Sequence, residues 1–335
     1  MPYKQKLKTP SLNPTKKPDY KVTNWTEYNK SLRKRGALSL YFPHGNLESQ
    51  FFNSECYIQG VSGQQATYKQ SYIEVMYTFY RLFGWGMRQM TGYFEDLWQT
   101  KNLDIPTPSF GHLSDLFAAI PLKTKQYCDK LAKRIQNGES IELILDSTGM
   151  RFGKASHWYE TKYGKICKNK PWRKLHLAID VEMNMHSVEI TDYEASDIGE
   201  MSNLIPDEHS YIKIKSVTAD GAYYSKEGVE QLHERGITPV IPPPSHAVVH
   251  GADDTKWHDK IVQYIKDKGT VYAFHKKYGY GKRALVEAQI SRIKRCIGTS
   301  FLTQKIESQK NEGIIIGNII NRWNSFGKCV SVKIG

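Results

Sequence analysis

The sequence predicts an α/β protein: a mixed sheet with flanking helices, preceded by a mostly helical N-terminal region. Three observations carry that prediction. Apolar residues recur at helical spacing through much of the first 137 residues. Near Gly138-Glu139-Ser140 the texture changes, and short apolar or alternating runs take over. From there the expected order is strand, hairpin, helix, strand, helix, strand, helix, which builds a mixed sheet with helices on its faces.

The elements follow in order. Residues 1–20 are rich in Lys and Pro and read as a flexible basic tail. Trp25, Tyr28 and Leu32 fall at roughly helical spacing. Tyr72 to Phe83 is a strongly apolar helical run that stops at Gly84-Trp85-Gly86, and a second helix is expected from Met87 to Trp98. Pro106-Thr107-Pro108 breaks the chain, and Ser109 is placed to cap a short helix through Phe117. That succession fits a helix-turn-helix-like DNA-binding unit, and equally ordinary helical packing. A polar helix is expected over Lys123 to Asn137.

Beyond Gly138, Ile141 to Leu145 is a short apolar strand. Arg173 to Val181 alternates, with Leu175, Leu177, Ile179 and Val181 on one face and Lys174, His176, Ala178 and Asp180 on the other. Asp180 to His186 reads as a hairpin turn, and Val188 and Ile190 continue into the next strand. A helix starts near Asp197, where Glu200 three residues on suggests a capping box. Ile212 to Ala219 and Thr238 to Ile241 are strands flanking a helix from Ser225 to Arg235, and Pro242-Pro243-Pro244 stops the second. Residues 245–280 read as an irregular insertion with some helix, and Gly281 to Ile297 as a helix. The expected organisation is tail 1–20, helical region 21–137, sheet domain 138–310 and C-terminal helix and tail 311–335.

Composition narrows the function. The formal net charge of +13 over 335 residues makes a polyanion the first partner to consider. Residues 1–40 hold ten Lys and Arg against Asp19 and Glu27, so most of the surplus is local; Arg33, Lys34 and Arg35 are its densest point. The five cysteines are scattered and never spaced as C-x-x-C, which argues against a disulfide framework or a zinc ribbon and for a reducing cytosol. No apolar stretch is long enough for a signal peptide or a membrane span, so no membrane partner is expected.

Three acids stand out by position. Asp146 follows the run Ile141 to Leu145, Asp220 follows the strand ending at Ala219, and Glu287 lies inside a helix. Two Asp at strand ends and a helical Glu can converge over one sheet edge. Converging carboxylates repel unless a cation lies between them, and an all-oxygen site suits Mg²⁺, with Mn²⁺ as the alternative. Two such ions about 3.5–4 Å apart serve an in-line phosphoryl displacement. Each acid also has a plainer reading: Asp before Ser or Gly is often an Asx-turn, and Arg283–Glu287 can be a surface i,i+4 pair. Arg283 and Lys294 lie on nearly the same helix face as Glu287, which suits phosphate contacts.

These stretches resemble a known family. Leu145-Asp146-Ser147-Thr148-Gly149, Trp172 to Asp180, Ala219-Asp220-Gly221-Ala222-Tyr223 and Arg283 to Glu287 look like DDE transposases of bacterial insertion sequences, nearest the "insertion sequence five" group. The likeness reaches Thr23 to Asn29 and Leu32 to Gly36, and covers roughly residues 20–325 in collinear order. It implies a ribonuclease H-like catalytic fold, with Asp146, Asp220 and Glu287 as the triad holding two Mg²⁺ ions. It also implies DNA partners, namely terminal inverted repeats and target DNA, a homodimer or higher multimer on DNA, and a bacterial cytosol with nucleoid association. The Glu helix, Glu287 to Lys294, approximates the family's Glu-then-basic pattern without copying it.

Residues 161–175 hold six Lys and Arg and no acid, among them Lys170, Arg173 and Lys174; this is either a phosphate-tracking segment or a solvated loop. Trp158, Tyr159 and Trp172 suit base stacking or packing. His176 reads as a satisfied structural histidine. Three rival functions remain: a related nuclease without strand transfer, a non-catalytic DNA-binding protein, and an enzyme of small phosphates, which leaves the basic N-terminus unexplained.

Overall fold

The computed structural model describes residues 19–53, 67–152, 172–207 and 212–334. Contacts divide the chain into two units: Ser39–Ser325, and a small one made of both chain ends, Met1–Leu38 with Phe326–Gly335.

In the small unit, β1 (Asp19–Val22) leads into α1 (Trp25–Lys34). The large unit opens with α2 (Leu47–Phe51), α3 (Gln70–Phe83), α4 (Met87–Lys101), α5 (Phe110–Ala119) and α6 (Asp129–Gln136). Local chemistry sets their ends. Asn46 Oδ1 accepts from Ser49 N at 2.9 Å, and Ser109 Oγ from His112 N at 3.3 Å. Gly84 closes α3 at φ 65°, where a side chain would be strained. Aromatic packing joins these helices: Phe51 stacks on Tyr72 with centroids 4.8 Å apart, and Trp98 Nε1 donates to the Tyr72 hydroxyl at 2.7 Å. The polar helix is shorter than its pattern predicts, beginning at Asp129 rather than near Lys123.

The sheet follows: β2 (Ile141–Phe152), β3 (Trp172–Asp180), β4 (Met185–Asp192), then α7 (Asp197–Leu204), β5 (Ile214–Thr218), α8 (Lys226–Glu234) and β6 (Thr238–Val240). Next come α9 (Lys256–Lys268), α10 (Val271–Tyr278), α11 (Ala284–Cys296), β7 (Ser300–Phe301), α12 (Ile306–Phe326) and β8 (Ser331–Ile334). The strand order is β4-β3-β2-β5-β6, with β7 beside the far end of β2. β3 runs antiparallel to β2 and β4, while β5, β6 and β7 run parallel to β2. This is a ribonuclease H-like mixed sheet, as expected.

Two expectations change. β2 does not stop before Asp146: its pairing with β3 continues to Arg151↔Trp172, so Asp146 sits mid-strand. The stretch expected to be an irregular insertion is largely two helices, α9 and α10, because Trp257, Ile261, Val262 and Phe274 supply buried helical faces.

Both faces of the sheet are covered, which is why β3 is buried from Leu175 to Asp180 despite its alternating pattern. One face, with Leu143, Leu145, Ala178 and Val217, packs against Met201 and Leu204 of α7. The other is capped by α12, whose Gly313 and Gly317 let its backbone approach β4. A Cβ on Gly313 would stand 2.9 Å from Ile190 Cδ1, and one on Gly317 3.0 Å from Val188 Cγ2. Buried amides fix the register of α12: Asn321 accepts from Met185 N at 2.7 Å and donates to Met185 O at 2.8 Å.

The β3–β4 turn is organised by buried Asp180. Its Oδ1 accepts from the backbone N–H of Glu182 (2.8 Å) and Asn184 (2.9 Å), and its Oδ2 bonds Asn184 Nδ2 (2.9 Å) and His186 Nε2 (3.2 Å). Burial works against this charge, but the hydrogen bonds from His186 and Asn184 outweigh it and hold the carboxyl below its ordinary range. We expect Asp180→Ala to lose about 2–4 kcal/mol of stability in denaturant titration at pH 7. A depressed carboxyl stabilises above its unfolded pKa, so the gap between native and variant should close as pH falls below about 4. A gap that stays constant down to pH 3 would refute this account of the turn.

Candidate active site

The register of β2 fixes where its acids lie. β2 pairs with β5 through Ile144↔Thr218, the last pair between them. Asp146 and Asp220 each come two residues after that pair, where β5 ends while β2 runs on, so they stand beside each other on neighbouring segments. Alternation then sorts the side chains of β2. Asp146 pairs with Leu177 and Thr148 with Leu175, which places these two on the face opposite Leu145 and Ser147. The α11 helix packs on β2, preceded by a 3₁₀ turn over Tyr280–Arg283.

Arg283 is the centre of the cluster. Its Nη2 lies 2.9 Å from Asp220 Oδ2 and 3.6 Å from Asp146 Oδ2, and its Nη1 lies 2.7 Å from Glu287 Oε1. One guanidinium thus meets all three acids. The Arg283–Glu287 contact is the i,i+4 pair foreseen, yet Arg283 is drawn inward, at 17% side-chain exposure against 55% for Glu287. Two turns beyond Glu287, Lys294 Nζ donates to Thr148 Oγ1 at 2.6 Å, which fixes this cation to β2 on the same face as Asp146.

Electrostatics follow from burial. Desolvation pushes the Asp146 carboxyl above the usual carboxylate range; Arg283 and the Ser147 N–H oppose the rise, while Asp220 and Glu287 add to it. Burial alone would lower the Arg283 pKa, but Asp146 and Asp220 outweigh it and hold the guanidinium above its ordinary value. Tyr280 lies near the same charges, and burial raises its phenol.

The donor set bears on a metal. Among the described residues no three His, Cys, Asp or Glu side chains stand close enough together to hold an ion as they are; here the guanidinium takes the space between the acids. The chemistry fits all the same: three carboxylates, no thiol or imidazole, gathered around one positive charge, are the ligands a hard divalent cation prefers.

On the opposite face lies a polar network that the pattern did not reveal. Ser147 Oγ donates to Asp197 Oδ1 at 3.1 Å, and Lys174 Nζ reaches the same oxygen at 3.3 Å. His176 bonds Thr191 Oγ1 at 2.9 Å and the Tyr223 hydroxyl at 3.4 Å. Burial depresses the His176 pKa, favouring the neutral ring, as a structural histidine requires. Tyr223 closes the 3₁₀ turn that begins after Asp220, so this network also anchors the Asp220 loop. Asp197 is therefore not the capping residue its spacing with Glu200 suggested. Ser196 is the N-cap, and the Asp197 carboxylate is taken by Ser147 and Lys174.

Of the other residues singled out in the sequence, Arg173 and Lys174 are not gathered with the acids. Arg173 pairs with Asp192, bonds Gln309 Oε1 at 2.8 Å and stacks 4.3 Å over Phe152. Lys174 also donates to Ala195 O at 2.7 Å. Strand pairing explains both, since β4 and the loop after it carry acids and carbonyls alongside β3. Arg33 and Lys34 are exposed in the last turn of α1, and Arg35 is its C-cap. Lys170, Trp158 and Tyr159 lie outside the described residues. Thr148 and Tyr223 stand in the sequence only as members of the Asp146 and Asp220 motifs, with no role of their own; Tyr280 is not singled out there, although it lies three residues before Arg283 and seven before Glu287.

The class of protein defined by this fold is a ribonuclease H-like α/β domain with flanking helices. Two family models described as transposase DDE domain match the sequence, over residues 137–321 and 33–155. The first match spans more than half of the sequence, and the chain belongs to the transposase DDE domain family. DNA is the substrate this membership implies. Among the described residues no helix is long and apolar enough to cross a membrane.

A metal-free test probes the charge balance. In Arg283→Met the acids lose their countercharge, and Asp146, already pushed upward by burial, rises further. A carboxyl with a raised pKa stabilises in its protonated form and loses that contribution as pH climbs through its folded pKa. We expect the variant to lose on the order of 1–3 kcal/mol at pH 8 and less at pH 5, read by thermal unfolding in EDTA. Equal losses at both pH values would count against mutual repulsion of the acids.

Proposed function

We propose that this chain is an insertion-sequence transposase, within or near the "insertion sequence five" group, and that Asp146, Asp220 and Glu287 are its catalytic and metal-ligating triad. The single observation that carries this reading is the meeting of the three acids on one guanidinium inside the region matched by the transposase DDE domain. Bound there, two Mg²⁺ ions, or Mn²⁺, would neutralise charge on the attacking and leaving oxygens of an in-line displacement.

The remaining roles belong to the protein's own residues. Asp146, held rigidly mid-strand, and Asp220, held by its 3₁₀ turn, present carboxylates from a fixed sheet edge, so little reorganisation accompanies reaction. Glu287 enters from α11. Once the acids are otherwise neutralised, Arg283 is released to pair with a phosphate of the scissile strand, and Lys294 stands on the same side to hold a neighbouring one. Water hydrolyses the phosphodiester at the element's end and frees a 3′-hydroxyl. That hydroxyl then attacks a target phosphodiester, forming a new bond to the element and releasing a target hydroxyl.

In the same reading, residues 1–20 are a basic tail and residues 21–137 help bind the terminal inverted repeats, with Arg33, Lys34 and Arg35 among the contacts. Residues 138–310 are the catalytic domain, with an insertion at about 245–280, and residues 311–335 are a C-terminal helix and tail. Lys170, Arg173 and Lys174 border the DNA path. Two ends must be paired, so the working form on DNA is at least a dimer, in the bacterial cytosol and on the nucleoid.

The test is Mg²⁺-dependent cleavage of a labelled duplex carrying the element's terminal repeat, followed by joining to a plasmid. Asp146→Ala, Asp220→Ala and Glu287→Ala should each bind the duplex while losing cleavage by at least about 10²–10³-fold. Cutting that survives loss of one acid would remove that residue from the triad. Cleavage without joining would make the protein a nuclease.

A further inference from the structure

Both chain ends meet in the small unit. β8 pairs antiparallel with β1, from Asp19↔Ile334 to Val22↔Ser331. Asn24, the N-cap of α1, extends this pairing with its side chain: Nδ2 donates to Lys328 O at 2.8 Å, and Oδ1 accepts from Val330 N at 2.8 Å. The C-terminal segment then crosses α1 at Gly327. A Cβ there would stand 3.1 Å from Ser31 Cβ, at a φ of +133° that side chains rarely adopt. The last residues of the chain therefore brace the basic helix of its first residues.

The described residues of this unit build no apolar core. Among its described residues Ser31 is buried and no apolar residue is; Tyr20, Trp25, Val332 and Ile334 are about half exposed or more. Every residue of β8 is exposed, so both faces of the ribbon are open. A unit of this size without a buried core does not hold a fixed shape unaided. Its charge says what completes it. The N-terminal side carries Lys21, Lys30, Arg33, Lys34 and Arg35, and the C-terminal side adds Lys328 and Lys333, against Asp19 and Glu27 alone. A second copy of the same unit would set this surplus against itself, since a two-fold contact repeats one patch on both sides. A polyanion relieves it.

We propose that β1, α1 and β8 form one split DNA-binding module, and that β8, through Lys333, contacts the phosphate backbone of the element's end beside the basic helix. This rests on the reading of the chain as a protein that binds those ends. It adds that the C-terminus, more than three hundred residues away in sequence, is part of the binding surface.

The experiment compares the full chain, Lys333→Ala and a chain ending at Phe326, each titrated into the terminal-repeat duplex and an unrelated duplex over a range of salt. Phosphate contacts carry no sequence information, so the loss should be equal on both duplexes. For Lys333→Ala we expect affinity to fall about five- to tenfold at about 0.1 M salt, with the log–log salt slope reduced by about one. The shortened chain should lose more in both. Lys333 is exposed, so its variant decides the matter even where the shortened chain fails to fold. Unchanged affinity and slope in Lys333→Ala, with the full chain binding normally, overturn the inference and leave the transposase reading intact. A shortened chain that becomes monomeric yet keeps its salt slope also overturns it, assigning the ribbon to a second copy. Failure of the full chain to bind either duplex would overturn both the inference and the end-binding reading beneath it.

Discussion

Everything at the candidate site depends on β2 being paired on both sides. Pairing with β3 keeps the strand extended through Asp146, and the parallel pairing with β5 ends at Ile144↔Thr218. Those two registers together put Asp146 and Asp220 at one edge. A slip of one residue against β3 would turn Asp146 toward the α7 face and bring Ser147 to the α11 face. Leu143, Ile144 and Leu145 are all fully buried, so apolar burial fits either register; the polar contacts decide it, with Ser147 bonded to Asp197 on one face and Thr148 to Lys294 on the other.

Around that edge the protein stores unlike charges at close range. Asp146 is largely buried and its carboxyl is pushed upward, which raises the energy of its ionised form in the absence of a positive partner. Arg283 answers this for three acids at once and remains largely buried itself. In the proposed reading a divalent cation takes the acids, and Arg283 is then free to meet a phosphate beside Lys294. The Ser147, Asp197, His176 and Tyr223 network holds β2 and the Asp220 turn from the opposite face, with hydrogen bonds rather than net charge.

The two ends of the chain follow a different logic. The large unit is held by apolar burial, by Gly-permitted contact between α12 and β4, and by asparagine side chains that read the backbone of neighbouring segments. The small unit has a ribbon, a helix and a surplus of positive charge, and among its described residues only Ser31 is buried. In the proposed reading the difference has a reason: a sheet that holds catalytic carboxylates must be rigid, whereas a surface that meets a charged polymer gains from yielding to it.

The sequence by itself determined the strands and helices with strong periodicity, their order, and therefore the mixed sheet. Ser109 as a cap, Gly84 as a stop and the Asp180 hairpin are local chemistry and were legible residue by residue. The three acids were legible as candidates because each sat at an element boundary or on a helix face, and their resemblance to transposases joined them. Only the tertiary structure decided the rest. It carried β2 past Asp146, because strand length is set by the partner strand. It turned Asp197 from an apparent cap into a bridge, because Ser147 and Lys174 come from strands far off in sequence. It brought Arg283 among three acids and β8 against β1, since long-range pairing leaves no periodic trace in either segment alone.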